Sequence, residues 1–302
     1  MASNVTRAER DLPAGIKILA AYLAISAVPA VVSWFRDNGS GSVVAAHIVA
    51  LIAVAVLLAW GRTGIVVDWL PLVAIPFLYA ELPRIEMGGL RDDVVQRWES
   101  ALFGVSPVES ASMHWPNALL SETLHAAYLS YYLIIYGPPV VLYLRGRLAE
   151  FRSTTAGLMT MFAICYMLFI VFPVAGPRYE WPPPSSVFDG PVRRFALRLL
   201  AAGSSKGTAF PSSHVAVATV QTVLAFRWSP RTGLLLCALT SCLGIGAVYG
   251  GFHYGIDVVA GALLGLAIGV ALLFAHRDSF ARPFAPVAAA IPIVDESAGD
   301  MK

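Results

Sequence analysis

The sequence predicts an all-α protein, a polytopic transmembrane helical bundle of about eight spans. Three observations carry that prediction. Hydrophobic residues make up 57% of the 302 residues and charged residues only 13%, about half the charge of an ordinary soluble domain. The mean hydropathy of +0.69 is spread along the chain rather than concentrated in one segment. The apolar residues also fall into successive runs, many of them close to the roughly 20 residues that a helix needs to cross a bilayer.

In chain order, residues 1–13 are polar and carry Arg7 and Arg10. The run 14–35 follows, with Lys17 near enough to its end to snorkel to the interface. It exceeds the roughly 7–15 apolar residues of a secretory signal core, so it reads as a retained first span. Span two is 43–60, ended by Gly61 and Arg62. Span three, 65–82, is the least regular: it contains Pro71 and Pro76, with Asp68 and Glu81 close enough to its ends to reach water. Segment 92–103 mixes charge with apolar residues at helical spacing, which suits an amphipathic helix lying in the interface. Span four, 118–144, carries Glu122, His125 and a tyrosine stripe (Tyr128, Tyr131, Tyr132), with a break expected at Pro138 and Pro139. Span five is 155–173, and 174–206 reads as a loop in which Pro182 to Pro184 form a rigid turn. Spans six to eight are 212–226, 233–248 and 256–275. The tail from His276 is polar and proline-broken, and its apolar piece 284–294 is too short to cross. The chain therefore divides into an N-terminal membrane region (1–116), a membrane core with the candidate site (117–276) and a cytoplasmic tail (277–302) expected to be disordered.

Charge narrows the partners and orients the bundle. A net charge of +2 gives no footing for nucleic acid. Cys165, Cys237 and Cys242 lie in apolar runs without a Cys-x-x-Cys pair, and read as buried, inert thiols. The positive-inside rule, with the N-terminus in the cytoplasm, gives the short inner loops Arg62, then Arg145, Arg147 and Arg152, then Arg227 and Arg231, then Arg277 and Arg282. Eight spans then place both termini in the cytoplasm and bring His214 and His253 to the outer face, periplasmic or extracellular.

Those two histidines sit in the stretches with the most chemistry. His253 and Asp257 are four apart, so a helix brings them to one face. A carboxylate on one ring nitrogen fixes the tautomer and raises the basicity of the other, as a nucleophilic or general-base histidine requires. His214 follows Pro211, Ser212 and Ser213 in a first helical turn, where unpaired amides and the positive end of the dipole can cradle phosphate. Arg178 and Lys206 are positioned to add positive charge. Tyr179, Glu122, His125 and Tyr249 are candidate linings of the same site.

The combination of Pro211-Ser212-x-His214 with His253-x-x-x-Asp257 resembles the type-2 phosphatidic acid phosphatase superfamily, over roughly residues 118–276. The resemblance implies a six-helix core and metal-independent chemistry with no cofactor. It further implies that His253 attacks phosphorus to form a phosphohistidine and that Asp257 orients it. His214 would protonate the leaving oxygen and then deprotonate the acceptor. Ser213 stands where the family has glycine, and Gly176-Pro177-Arg178-Tyr179 is only an approximate counterpart of the family's first motif. The Ser-Arg of the third motif would fall at Gly246 and Ala247. Loss of that arginine resembles the lipid phosphotransferase branch with inositol phosphorylceramide synthases, as does Leu102-Phe103-Gly104-x-x-Pro107 with Ser121-Glu122. The expected partner is a membrane lipid phosphate or phosphodiester, the acceptor water or a lipid or polyol hydroxyl; the missing arginine tilts the reading slightly towards transfer, with hydrolysis close behind.

Blander readings stand beside these. His253 and Asp257 could be a buried pair fixing helix register, and Glu122 and His125 could bond each other. His47 reads as a packing residue. The glycines of span eight read as places of close helix approach. A zinc site from His214, His253 and Asp257 has suitable ligand types but would take His214 out of acid–base work. A proton-coupled carrier would use the same ionisable groups as a relay, yet no internal repeat is visible and the groups cluster at one interface. A lipid-binding relative without turnover is the third class, motivated by the missing arginine.

Overall fold

The computed structural model describes residues 12–36, 41–61, 63–85, 88–181 and 190–275. Arg7, Arg10, Arg62, the proline run 182–184, Arg277, Arg282 and the tail lie outside the described residues. Within them the protein is all-helical, with no strand and one isolated parallel bridge between Val174 and Thr208.

The described residues begin with three long helices: α1 (Ala14–Phe35), α2 (Gly41–Trp60) and α3 (Ile65–Glu81), the last running into a 3₁₀ turn at Leu82–Arg84. Then come the short α4 (Asp92–Phe103) and α5 (Pro107–His114), and the consecutive pair α6 (Ala118–Leu129) and α7 (Tyr131–Leu144). Next are α8 (Leu148–Val171), the one-turn α9 (Pro177–Glu180) and α10 (Pro191–Gly203). Helices α11 (Ser213–Trp228), α12 (Pro230–Tyr249) and α13 (Gly255–Ala275) complete the described chain. Side-chain caps mark three starts: Asn117 accepts from the Leu120 amide at 3.0 Å, Ser212 from Val215 at 3.5 Å and Ser229 from Thr232 at 3.3 Å.

Among the described residues, seven helical segments are long and apolar enough to cross a membrane, with α6 and α7 counting as one. The expected sixth span is the exception. Helix α11 has 16 residues, about 24 Å of rise, and packs against α8, α12 and α13. Val215, Ala216, Val217, Ala218, Val220, Leu224 and Ala225 are all buried. A helix wrapped by other helices has no need to match the hydrocarbon thickness.

Other expectations shift for equally physical reasons. The break in the fourth span falls at Ser130, while Pro138 and Pro139 are accommodated inside α7. Helix α8 starts at Leu148 rather than 155, because Arg152 turns inward: its Nε donates to Asp68 Oδ1 at 2.7 Å, with both side chains buried. Asp68 therefore serves an ion pair and does not reach water. Glu81 accepts from His47 Nδ1 at 3.1 Å, and the other ring nitrogen of His47 meets Leu23 O at 2.8 Å; His47 is a satisfied packing residue. The expected loop 174–206 contains α10, whose apolar side includes the buried Ala196 and the half-buried Leu199 and Leu200. Cys165 is buried, but Cys237 and Cys242 are exposed on α12. An apolar run in a membrane chain need not be buried in protein.

The tightest packing joins α11 to α13. A Cβ on Gly261 would stand 2.5 Å from Ser212 O, one on Gly265 2.4 Å from Ala216 O, and one on Gly269 2.9 Å from Val223 Cβ. Small residues on one stripe thus let the backbones touch, and the contact holds Ser212 beside Asp257: the Ser212 amide donates to Asp257 O at 3.0 Å. We expect Gly265→Ala to destabilise the protein by roughly 1–3 kcal/mol, because the opposing atom is main chain and cannot yield. Gly203, which faces open space, is the control; thermal unfolding in detergent compares the two.

Candidate active site

Two loops and two helix starts meet at one end of the bundle. The bridge between Val174 and Thr208 ties them: Val174 N–H donates to Gly207 O at 3.2 Å, and Ala209 N–H to Val174 O at 2.9 Å. Gly176 makes the approach possible. Its φ of +96° suits glycine, and a Cβ there would sit 3.0 Å from that of Ala209. Arg178 and the start of α11 are thereby brought to the same place.

His253 precedes α13. Its Nδ1 lies 2.9 Å from Ala209 O and 3.4 Å from Asp257 Oδ2. A carbonyl only accepts, so Nδ1 carries the proton and the lone pair sits on Nε2. Asp257 is fully buried, and its Oδ2 also accepts from the Tyr254 amide at 2.8 Å. The carboxylate therefore lies beside an imidazole N–H whose shorter bond runs to main chain. His214, in the first turn of α11, lies across from it with ring centroids 5.8 Å apart. Its Nε2 is 3.3 Å from Tyr128 Oη, and its ring packs on Tyr131 with centroids 4.1 Å apart.

A cavity of about 660 Å³ opens onto both histidines. Arg178 and Ser213 border it, together with Tyr79, Tyr128, Tyr131, Tyr132, Tyr136 and Tyr166. Ile75, Pro76 and Arg84 extend the wall from α3 and its 3₁₀ turn, and Leu199 and Leu200 from α10. Arg178 Nη2 donates to Ser204 Oγ at 2.6 Å and to Tyr179 Oη, with the guanidinium over the Tyr179 ring. The site thus combines a free imidazole nitrogen, a second imidazole and a guanidinium around an apolar chamber.

The remaining sequence candidates take other places. Lys206 is exposed and stands 5.7 Å from the Tyr179 ring, away from the cavity wall. Ser212 is buried as the cap of α11. Glu122 caps α10, accepting from the Val192 and Arg193 amides at 2.8 and 3.0 Å. His125 binds Ser121 O through Nδ1 at 2.7 Å and packs against Phe252, so it makes no bond to Glu122. Tyr249 donates to Trp115 O at 3.0 Å, outside the cavity. The spacing of these residues placed them near the right end of the bundle but not on its inner wall.

The sequence reading missed several residues that build the site. Tyr79 latches the Ser205–Thr208 turn, with its Oη 2.8 Å from Thr208 Oγ1 and 3.2 Å from the Ser205 amide. Asp92 accepts from the Ala175 and Gly176 amides at 2.8 and 2.9 Å. Glu99 accepts from Gly255 and Ile256 at 3.0 and 2.7 Å. The available signal was the stripe Asp92, Val95, Gln96, Glu99, which a helix puts on one face. Burial pushes the Glu99 carboxyl above its usual range, and the two amides draw it partway back. Gly246 and Ala247, where the third-motif Ser-Arg would fall, are tightly packed. A Cβ on Gly246 would stand 2.4 Å from Leu124 O, and Ala247 is fully buried. Helix α12 packs directly on α6 where those side chains would stand.

Fold and site together define a polytopic helical membrane protein with a His–His–Asp arrangement at one end of its bundle. The chain belongs to the PAP2 superfamily, whose family model matches residues 95–271, more than half of it. It is accordingly a phosphatase-like membrane protein. Over 57 residues it is 40% identical to the bacitracin transport permease protein BcrC of Bacillus licheniformis. That match covers 19% of this chain and 28% of the relative. No solved structure matches the chain.

Proposed function

We propose that the protein removes a phosphoryl group from a membrane lipid phosphate, by way of a phosphohistidine. One observation carries the reading: His253 is held through Nδ1, which leaves Nε2 as the lone pair at a cavity shared with His214 and Arg178. In the first step Nε2 attacks phosphorus, the N–P bond forms, and the P–O bond to the lipid breaks. His214 gives the departing oxygen its proton. In the second step His214 takes a proton from water, the water oxygen attacks phosphorus, and the N–P bond breaks to release inorganic phosphate. Arg178 stabilises the phosphoryl oxygens, the effect that dominates this class of reaction.

The tyrosine-rich chamber suits a lipid entering from the side with its head group at Arg178. Phosphatidic acid and a polyprenyl pyrophosphate are both candidates. In this reading 117–276 is the catalytic core, and the N-terminal region supplies the α3 wall. The site faces the outer side of the membrane, and both termini are cytoplasmic.

Transfer to a lipid or polyol hydroxyl, as in the inositol phosphorylceramide synthase branch, is the second reading. The packed Gly246 and Ala247, where the family's Ser-Arg would stand, favour it. The pure protein in micelles separates the two. Phosphate release from either lipid phosphate supports hydrolysis. Head-group exchange from a phospholipid to a hydroxyl acceptor without phosphate release supports transfer. Neither reaction would sink both readings and leave lipid binding without turnover, or the transport role that the name of the relative carries.

A further inference from the structure

The catalytic loop and the phosphate loop are bolted to one short helix. Helix α4 lies across the site's edge, and four of its residues on a single stripe point inward. Asp92 and Glu99 are buried, at 7% and 2% exposure, and each accepts two main-chain amides. Val95 between them is fully buried against Val174, Ala209 and Tyr254. Gln96 donates to Tyr254 Oη at 3.1 Å, and Tyr254 Oη donates to Asp92 at 3.2 Å.

The amides held at the two ends matter. Ala175 and Gly176 directly precede Pro177 and Arg178, the guanidinium at the cavity. Gly255 and Ile256 open α13, one turn that also contains Asp257 and follows His253. Amides in a first helical turn have no partner within their helix, so a buried carboxylate with two acceptor oxygens is a strong anchor there. Seven residues of helix rise about 10.5 Å, a fixed spacer between the two anchors. Nothing in a loop would hold that spacing as well.

We infer that Asp92 and Glu99 are positioning residues: α4 is a rigid brace that sets the distance between Arg178 and the imidazole of His253. Glu99 acts on the nucleophile and Asp92 on the phosphate-binding arginine. The inference rests on the phosphohistidine reading for its kinetic consequences, but not for its structural ones.

The test uses Glu99→Gln and Asp92→Asn, which keep size and one acceptor oxygen but set an amide NH₂ against a main-chain N–H. Displacing a reacting group by an ångström costs about a hundredfold in rate. Glu99→Gln is therefore expected to lower kcat of phosphate release by about 10- to 100-fold with KM within about twofold. Asp92→Asn is expected to raise KM, and the inhibition constant of inorganic phosphate, by about tenfold with a smaller change in kcat. Amide exchange read by mass spectrometry supplies the second measurement. Glu99→Gln should expose the Gly255–Ile256 amides and leave 175–176 protected, and Asp92→Asn should do the reverse. Unchanged kinetics in both variants, or a loss of protection across the whole bundle with a lowered unfolding temperature, overturns the brace. If the wild-type protein releases no phosphate, the proposed function fails by itself. The exchange pattern then decides alone: local loss of protection supports the brace and unchanged protection overturns it.

Discussion

Replacing His253 with alanine is expected to reduce phosphate release by about 10⁶-fold, the size of effect seen when a nucleophile working with a partner base is removed. Ala209 O fixes the proton on Nδ1, Asp257 lies beside that proton, and no other group at the cavity offers a nitrogen lone pair so placed. His214 lacks that arrangement: its Nε2 lies 3.3 Å from Tyr128 Oη, and its Nδ1 has no hydrogen-bond partner among the described residues to fix a tautomer. The measurement is single-turnover release of phosphate by purified His253→Ala beside wild type, with thermal unfolding as the check on folding. A variant that keeps a tenth of the wild-type rate would remove His253 from the nucleophile's role.

The second large effect is on stability and lies at Asp68 and Arg152. Their bond, 2.7 Å long and buried, pins α8 to α3 within apolar surroundings. Removing Asp68 takes the carboxylate away from a buried guanidinium, at a cost of roughly 3–5 kcal/mol. Asp68→Ala is expected to lower the unfolding temperature sharply while leaving the activity of the surviving folded fraction near normal. An apolar double replacement, Asp68→Leu with Arg152→Met, should recover much of the loss, since a packed apolar pair can match a buried ion pair. Equal instability of the single and double variants would show that the two side chains act separately.

These two predictions differ in how far the sequence alone could reach them. His253, Asp257 and His214 were legible because helical spacing and position at the start of apolar runs are local properties. The family resemblance, now supported by the match over 95–271, rested on the same short motifs. Asp68 and Arg152 were read as solvated because each lies near the end of an apolar run. Their partnership spans 84 residues, and no local pattern reports it.

The same division runs through the molecule. By itself the sequence determined that the chain is a helical membrane protein, which residues enter its apolar runs, and which two histidines and carboxylate share one end. Hydropathy and a 3.6-residue period are written in consecutive residues, and backbone hydrogen bonds within each helix are satisfied locally. Only the tertiary structure decided that α11 is enclosed by other helices and that Glu122 caps α10 rather than lining the site. It alone showed that Asp92 and Glu99 on α4 hold the loops around Arg178 and His253. Each of these depends on which helix lies against which, and a side chain's role there is set by groups distant in the chain. The missing Ser-Arg shows the limit most plainly. Its absence is visible in the sequence, but only the structure shows that the main chain of α6 lies against Gly246, where a side chain would collide with Leu124 O.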